Sequence, residues 1–389
     1  MKAGVICPSW DYAGGGEKVM AVIAERLLAA GYEVTLFGKP LPDLARLGRV
    51  LNVNLEKCSV AIGDQAMPGP LLWLARVSPR IARFIHGRRA FNFARGYDLL
   101  VYITGDIPPA CPAERGILFV QFPYNADESI RLDDNGHPLR AADREKLRRI
   151  ASWDATLCPS GHVGRWIEKR WTVSPEVVYP PAEIQGIVST EKTNTILTVG
   201  RFYATGPIKK HAVMVQAFRD MCDEGLTGWK LIVAGGTHPR KDHQEYFRNI
   251  VKMSEGYPID IRNDLTFSEV GAFYQQASIY WHATGCGEDP CTKPELFEQF
   301  GMTIVEAMAC GAVPVVINGG GPAEIVQDGV SGHLFDTPAQ LKQRTLNLIN
   351  NLHDLEELRD NAIKRAADFN RNRFETEIDR IISEVSDRN

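Results

Sequence analysis

The sequence predicts an α/β protein made of two doubly wound, Rossmann-like domains in series. Three observations point to it. Short apolar runs alternate with stretches of helical period along most of the chain, the pattern of parallel β–α–β units. The alternation restarts after a polar stretch, QGIVSTEKTN, which reads as an interdomain linker. The chain has 389 residues, and at about 150 residues per domain that length holds two or three.

The elements follow in order. Residues 2–7 (KAGVIC) are a short buried strand, and Gly14, Gly15 and Gly16 form a loop after it. Residues 17–30 carry a helical period, with Val19, Val22, Ile23, Leu27 and Leu28 on one side; Gly31 ends the helix and YEVTLFG is the next strand. DLLVYIT (98–104), GILFVQF (116–122) and ATLCPS (155–160) read as further buried strands, and GHVGRWIEKRW as a helix. After VVYPP and the linker the second series runs TILTVGRF, KKHAVMVQAFRDMC, WKLIVAGG, SEVGAFYQQA, SIYWHAT, TIVEAMACG and VPVVING, strand and helix by turns. From about 338 the tail is helical and charged. The expected domains are 1–183 and 190–371, with a cleft between them.

Composition narrows the function. Hydrophobic residues at 44% and charged residues at 24% fit a globular protein. A net charge of -4 offers no general basic field, so no nucleic-acid partner is expected. The eight cysteines are scattered, several inside apolar runs, which suits reduced thiols and a cytoplasmic location. No stretch reaches the ~18 apolar residues of a membrane span. The N-terminus, MKAGVICPSW, lacks the charge and length of a signal peptide. Cys286 and Cys291 with His282 form an incomplete ligand set, and no metal site is expected.

The richest segment for chemistry is ELFEQFGMTIVEAMACGAVPVVINGGGPAEIV. Glu298 and Glu306 have seven residues between them, and Gly301 stands just before a helix starting at Met302. A helix N-terminus offers free N–H groups and a partial positive charge of about half a unit, a ready diphosphate site. One carboxylate is then placed for sugar hydroxyls and the other for a ribose. In GRFYATGPIKKH, Arg201 ends a strand and Lys209 opens the next helix. Two cations at the C-terminal end of a strand suit a leaving diphosphate. The Gly14–Gly16 loop permits close approach of backbone to a ligand. It lacks the G-x-G-x-x-G spacing, and no acidic residue ends the second strand, which weakens a nicotinamide-binding reading.

In these motifs the chain resembles glycosyltransferase family 4, of the GT-B fold, over nearly its whole length. WHATGCGED, the E-x7-E pair, EAMACGAVPVV and GGGPAEIV stand in that family's order, Gly14–Gly16 with Glu17 resembles its N-terminal glycine loop, and YPP at 179–181 resembles its domain junction. The resemblance implies a retaining hexosyltransferase using a nucleotide-diphosphate sugar, with UDP-glucose ahead of GDP-mannose as donor. Arg201 and Lys209 would bind phosphate, and Glu298 would face the transferred sugar. Gly15 and Gly16 would approach the donor; Phe300, Gly301, Met302 and Thr303 would line sugar and diphosphate with backbone N–H groups, and Glu306 would take the ribose hydroxyls. The last helix, 372–389, would cross back onto the first domain.

One departure stands in the first domain. Many relatives have a His-aromatic-Pro motif there, whereas this chain has Gln121 before Phe122 and Pro123. Glutamine donates and accepts hydrogen bonds but does not titrate near neutrality. No D-x-D motif appears, so no divalent cofactor is expected. The acceptor is read as a glycan or a lipid-linked molecule. From Gln65 to Tyr97 the chain has no acidic residue, and six arginines interleave with aromatic and aliphatic side chains, including Phe91 and Phe93. That composition suggests contact of residues 71–95 with an anionic membrane surface. A nucleotide-sugar epimerase of the same fold and a non-catalytic, sugar- or partner-binding subunit remain as alternatives.

Overall fold

A computed structural model describes residues 1–11, 14–63, 91–182 and 191–388. The chain divides into two compact units, one of Met1–Pro181 with Phe374–Asn389, the other of Ala182–Arg373.

The first unit holds β1 (Lys2–Ile6), α1 (Gly15–Ala29), β2 (Glu33–Gly38), α2 (Leu44–Leu51), β3 (Ser59–Ile62), β4 (Leu99–Thr104), β5 (Arg115–Val120), α3 (Ala141–Ile150), β6 (Ala155–Cys158), α4 (Gly161–Trp171) and β7 (Glu176–Val177). Its sheet runs β3-β2-β1-β4-β5-β6-β7, parallel throughout. The inner strands are buried on both faces, which is why they read as continuous apolar runs rather than alternating ones. Local chemistry sets several helix starts: Asp43 Oδ1 accepts from Arg46 N, Ser160 Oγ accepts from Val163 N, and Glu17 reaches back to Gly14 N at 3.0 Å.

The second unit holds β8 (Thr193–Val199), α5 (His211–Asp223), β9 (Lys230–Gly235), α6 (Lys241–Ser254), β10 (Ile259–Asn263), α7 (Phe267–Gln276), β11 (Ala277–His282), α8 (Met302–Ala309), β12 (Val313–Ile317), α9 (Pro322–Ile325), β13 (His333–Phe335), α10 (Pro338–Asn350) and α11 (Leu352–Ala366). Its parallel sheet runs β10-β9-β8-β11-β12-β13. The strand order reverses beside β1 in the first unit and beside β8 in the second. Such a switch point opens a crevice at the strands' C-terminal ends, where α/β sheets bind ligands.

The last helix, α12 (Arg371–Ser386), starts in the second unit and packs on the first. Phe374, Ile378, Ile381, Ile382 and Val385 join the core around α1. Arg26 donates twice to Asp379, at 2.8 and 2.5 Å, and Tyr32 Oη meets Ser386 Oγ at 2.8 Å.

Several boundaries move from the sequence reading. The strand read as 195–202 ends at Val199, so Arg201 lies in the loop beyond it. The following helix starts at His211, because Lys210 takes a left-handed conformation at φ 56 and breaks the run; Lys209 therefore precedes the helix rather than opening it. Of the linker stretch, residues up to 190 lie outside the described residues, while Thr193 and Asn194 already belong to β8. The basic, aromatic segment is also outside them as far as residue 90. Its described end packs inward: the Phe91 ring meets Tyr102 at 4.8 Å and the Phe93 ring meets Phe37 at 4.8 Å. Those two rings serve the core rather than an external surface. All eight cysteines are free. Among the described residues no helix is long and apolar enough to cross a membrane, and no three His, Cys, Asp or Glu side chains cluster as metal ligands.

Candidate functional site

In the second unit the switch point brings two loops together, one after β8 and one after β11. The first carries Gly200, Arg201 and Lys209; the second carries Glu298. Lys209 forms an ion pair with Glu298 Oε2. The two side chains are 20% and 16% exposed, so the pair is wetted on one side only. His282, the last residue of β11, is buried, and its Nε2 lies 3.1 Å from the same Oε2, off the line of a well-aligned N–H. Burial alone would push the Glu298 carboxyl up. The Lys209 ammonium and the nearby His282 outweigh it and hold the carboxyl well below its usual range. Burial, with Lys209 behind it, pushes the neighbouring His211 down to about 3, so that ring is neutral beside the pair.

Glu298 is held in place by backbone packing. Gly301, the N-cap of α8, sits at φ 113, a conformation that favours glycine, and a Cβ there would meet Ile304 Cδ1 at 2.8 Å. The same imagined Cβ is 3.5 Å from Glu298 Cγ, which places the carboxylate's stem against the helix N-terminus. No side chain caps α8. Behind the loop, Gly321 N donates to Glu298 O at 2.8 Å. A Cβ on Gly320 would fall 2.4 Å from that same oxygen, and one on Gly321 would fall 2.3 Å from Phe300 Cα. The GGGP motif thus lets one loop lie on the other.

The remaining sequence candidates take varied positions. Thr303 stands in the first turn of α8; the nearby Tyr280 is tied to the end of β8, its phenol oxygen accepting from Val199 N at 3.4 Å, and burial raises its pKa with Thr303 opposing. Glu306 accepts from Tyr274 Oη at 3.0 Å. Phe300 is buried with its ring 5.7 Å from Phe369, which leaves its backbone, not its ring, for any ligand. Met302 opens the helix, half-buried. Arg201 is exposed, with its guanidinium 4.8 Å from the Tyr203 ring, which in turn stacks on His243 at 4.6 Å. Arg201 is not part of the Lys209–Glu298 pair; it stands on an aromatic stack at the mouth of the same loop.

The first unit has its own constellation. Gly15 and Gly16 open α1 after the loop from β1. A Cβ on Gly16 would fall 2.1 Å from Gln121 Nε2, so the glycine loop and the Gln121 amide lie in direct contact. The backbone after Gln121 is pinned by Arg170, which donates to Pro123 O and, at 3.3 Å, to Tyr124 O, with its guanidinium 4.9 Å from the Trp166 ring.

Tyr274, Tyr280 and Arg170 did not emerge from sequence as site residues, and the sequence places His282 only in an incomplete metal-ligand set with Cys286 and Cys291. For His282 a signal was present: it is the polar residue that closes the otherwise apolar run SIYW at a strand's C-terminal end.

Comparison with known proteins accords with this geometry. Residues 181–369 match the family described as glycosyl transferases group 1, and residues 13–185 match the one described as glycosyltransferase family 4. An uncharacterized glycosyltransferase of Methanocaldococcus jannaschii is 26% identical over 220 residues, 56% of this chain and 55% of that protein. The GDP-Man:Man(3)GlcNAc(2)-PP-Dol alpha-1,2-mannosyltransferase of Xenopus laevis is 27% identical over 160 residues, 38% of this chain and 30% of that protein. The chain thus spans about half the length, or less, of these curated relatives. Among solved structures, sucrose-phosphate synthase from Thermosynechococcus elongatus aligns with TM-score 0.69 at 15% identity, covering 99% of this chain and 98% of the other. Anabaena HepE in complex with UDP and glucose aligns with TM-score 0.65 at 15% identity, again covering 99% and 98%. Two parallel Rossmann-like sheets, the paired motifs and these matches together place the chain in glycosyltransferase family 4, with the GT-B fold.

Proposed function

We propose that the chain transfers a hexosyl group from a nucleotide-diphosphate sugar to a glycan or lipid-linked acceptor, with retention of anomeric configuration and without a divalent metal. The observation that carries the reading is the Lys209–Glu298 pair set against the uncapped N-terminus of α8 at Gly301. Lys209, Arg201 and the helix N-terminus supply positive charge where a leaving diphosphate gains negative charge. Glu298 offers a carboxylate to sugar hydroxyls, and Glu306, oriented by Tyr274, offers one to a ribose. The bond from the anomeric carbon to the diphosphate oxygen breaks, and the acceptor oxygen bonds to that carbon on the same face. The acceptor's proton passes to the departing phosphate oxygen, so no separate base is required.

UDP-glucose is the first donor to test and GDP-mannose the second. Support for the pair is indirect: HepE was crystallised with UDP and glucose, and the Xenopus relative is named for a GDP-mannose donor. A thermal-shift screen against UDP- and GDP-sugars, followed by transfer assays with and without EDTA, tests the reading. Activity that vanishes in EDTA and returns with Mg²⁺ overturns metal independence. An inverted product by NMR overturns retention, and product formed without any acceptor points to an epimerase. Contact of the segment 71–95 with an anionic membrane, through residues other than the core-packed Phe91 and Phe93, is a further part of the proposal, tested by sedimentation with anionic and neutral liposomes. Protein that stays in the supernatant with anionic lipid at low salt overturns that part.

A further inference from the structure

Glu298 makes its protein contacts on one oxygen. Oε2 receives the Lys209 ammonium and lies 3.1 Å from His282 Nε2. Among the described residues nothing bonds Oε1. The two holders differ in what a donor would do to them. Lys209 is a cation, and an incoming diphosphate competes with Glu298 for it. His282 is 2% exposed, and its Nε2 has no aligned partner. Burying a polar atom in this way is costly, and the nearby carboxylate is the group that gives it a use. Burial first, and the Lys209 charge as well, push this imidazole below its usual range against the pull of Glu298. A neutral ring has little attraction for phosphate and stays with the carboxylate.

We propose that His282 is a positioning residue: as its Nε2–H tautomer it holds Glu298 through Oε2, so that Oε1 stays presented to the transferred sugar while Lys209 turns to the diphosphate. The inference rests on the proposed function for the role of Oε1. The hold of His282 on Glu298 is testable without any donor.

Two experiments on the full chain decide it. The first is ¹⁵N NMR of protein labelled on histidine, at neutral pH without nucleotide. The His282 ring, identified by the signal lost in His282→Gln, is expected as the Nε2–H tautomer and shifts in Glu298→Gln. An Nδ1–H ring that ignores Glu298→Gln overturns the proposal. The second is calorimetric binding of UDP against UDP-glucose, and of GDP against GDP-mannose. His282→Leu is expected to weaken the sugar nucleotide roughly 10- to 100-fold, the scale of a hydrogen bond to a charged group, and the bare nucleotide by under about twofold. His282→Gln, which keeps a donor near the Nε2 position, restores most of the loss. In a Glu298→Gln background His282→Leu should cost nothing more. Equal weakening of nucleotide and sugar nucleotide, or a full loss that persists in that background, overturns the proposal. A wild-type chain that binds none of the four probes overturns the proposed function instead, and the NMR result then stands alone on whether His282 holds Glu298.

Discussion

Replacing Lys209 by Met tests the central pair. The substitution keeps much of the stem's volume and removes the charge. Breaking a buried pair on one side costs about 3–5 kcal/mol, because the other charge is left uncompensated. Here the two side chains are 20% and 16% exposed, and His282 still lies against Glu298, so the cost should fall to about 2–3 kcal/mol. For a unit of this size each kcal/mol moves Tm by about 2–4 °C, giving a drop of about 4–12 °C. The double variant K209M/E298Q leaves no orphan charge and should recover at least half of that drop. It should recover no transfer activity, since both groups are proposed to act on the donor.

The same pair makes a signed prediction with pH. In the wild type the folded-state pKa of Glu298 is depressed, so its contribution is present above the unfolded value and fades as pH falls through the folded one. Without Lys209 the desolvation that already opposes ionisation is left less opposed, and the folded pKa moves up. A raised carboxyl favours the folded state at low pH and disfavours it as pH rises. The gap in Tm between wild type and K209M should therefore narrow from pH 7 to pH 5, measured by differential scanning calorimetry. A gap that is constant or widens on acidification, or a double variant no more stable than K209M, would refute the account of Lys209 as the charge that keeps Glu298 ionised.

Arg201→Ala should lower transfer by about 2–4 kcal/mol of transition-state stabilisation, the scale of one oriented donor, with Tm nearly unchanged because the side chain is exposed; wild-type turnover would count against a phosphate role. Gly16→Ala places a methyl group where Gln121 Nε2 now sits, and the amide must swing away. Activity should fall while Tm moves by less than about 3 °C, since the displaced group is a flexible side-chain end; full activity would clear Gln121 of a role near the glycine loop. Tyr274→Phe removes the 3.0 Å bond to Glu306 and should raise donor KM about fivefold, the worth of roughly 1 kcal/mol, with kcat held. Ile378→Ala should destabilise the first unit by about 2–4 kcal/mol in calorimetry, because that side chain is 1% exposed in the core around α1; a change under 1 kcal/mol would mean that α12 does not dock there in solution.

Legibility in the sequence followed burial. The central strands β1, β4, β8 and β11 are enclosed on both faces, and each stands out as a mostly apolar run, interrupted in β8 by the buried Thr195 and Thr198 and in β11 by the buried Ser278. Edge strands were not read: β3 is only four residues long with Ser59, Val60 and Ile62 exposed, and β10 keeps Arg262 and Asn263 in water, so one run is too short and the other too polar to register. The helix α6, KDHQEYFRNIVKMS, buries only His243, Ile250 and Ser254, and its polar face hides its period. Among site residues, Glu298, Gly301 and Glu306 were legible because a helix start follows a glycine at a fixed offset from each carboxylate. His282 and Tyr274 were not, because their meaning lies in what they face across 16 and 32 residues of chain, which spacing alone does not reveal.

Within the second unit the carboxylate and the cations are anchored in different ways that bear on chemistry. Glu298 is fixed through its backbone. Its own carbonyl accepts from Gly321 N, Gly320 is packed against that oxygen so closely that a methyl group would not fit, and Gly301 turns the chain directly into α8. Sub-ångström placement of a carboxylate matters where charge develops on a reacting sugar. The cations are held differently. Lys209 reaches Glu298 over Gly200, where a Cβ would fall 2.7 Å from the lysine Cγ, so the stem lies on bare backbone and the ammonium at its end is tied to the Glu298 carboxylate. Arg201 stands exposed on the Tyr203 ring. An anion fixed through its backbone and cations held only at their side-chain ends suit a reaction in which the sugar must be held still while the diphosphate gains charge and departs. The reverse arrangement would let the cations stay with a mobile carboxylate, and the leaving group would have to break that pair without a fixed partner for the sugar.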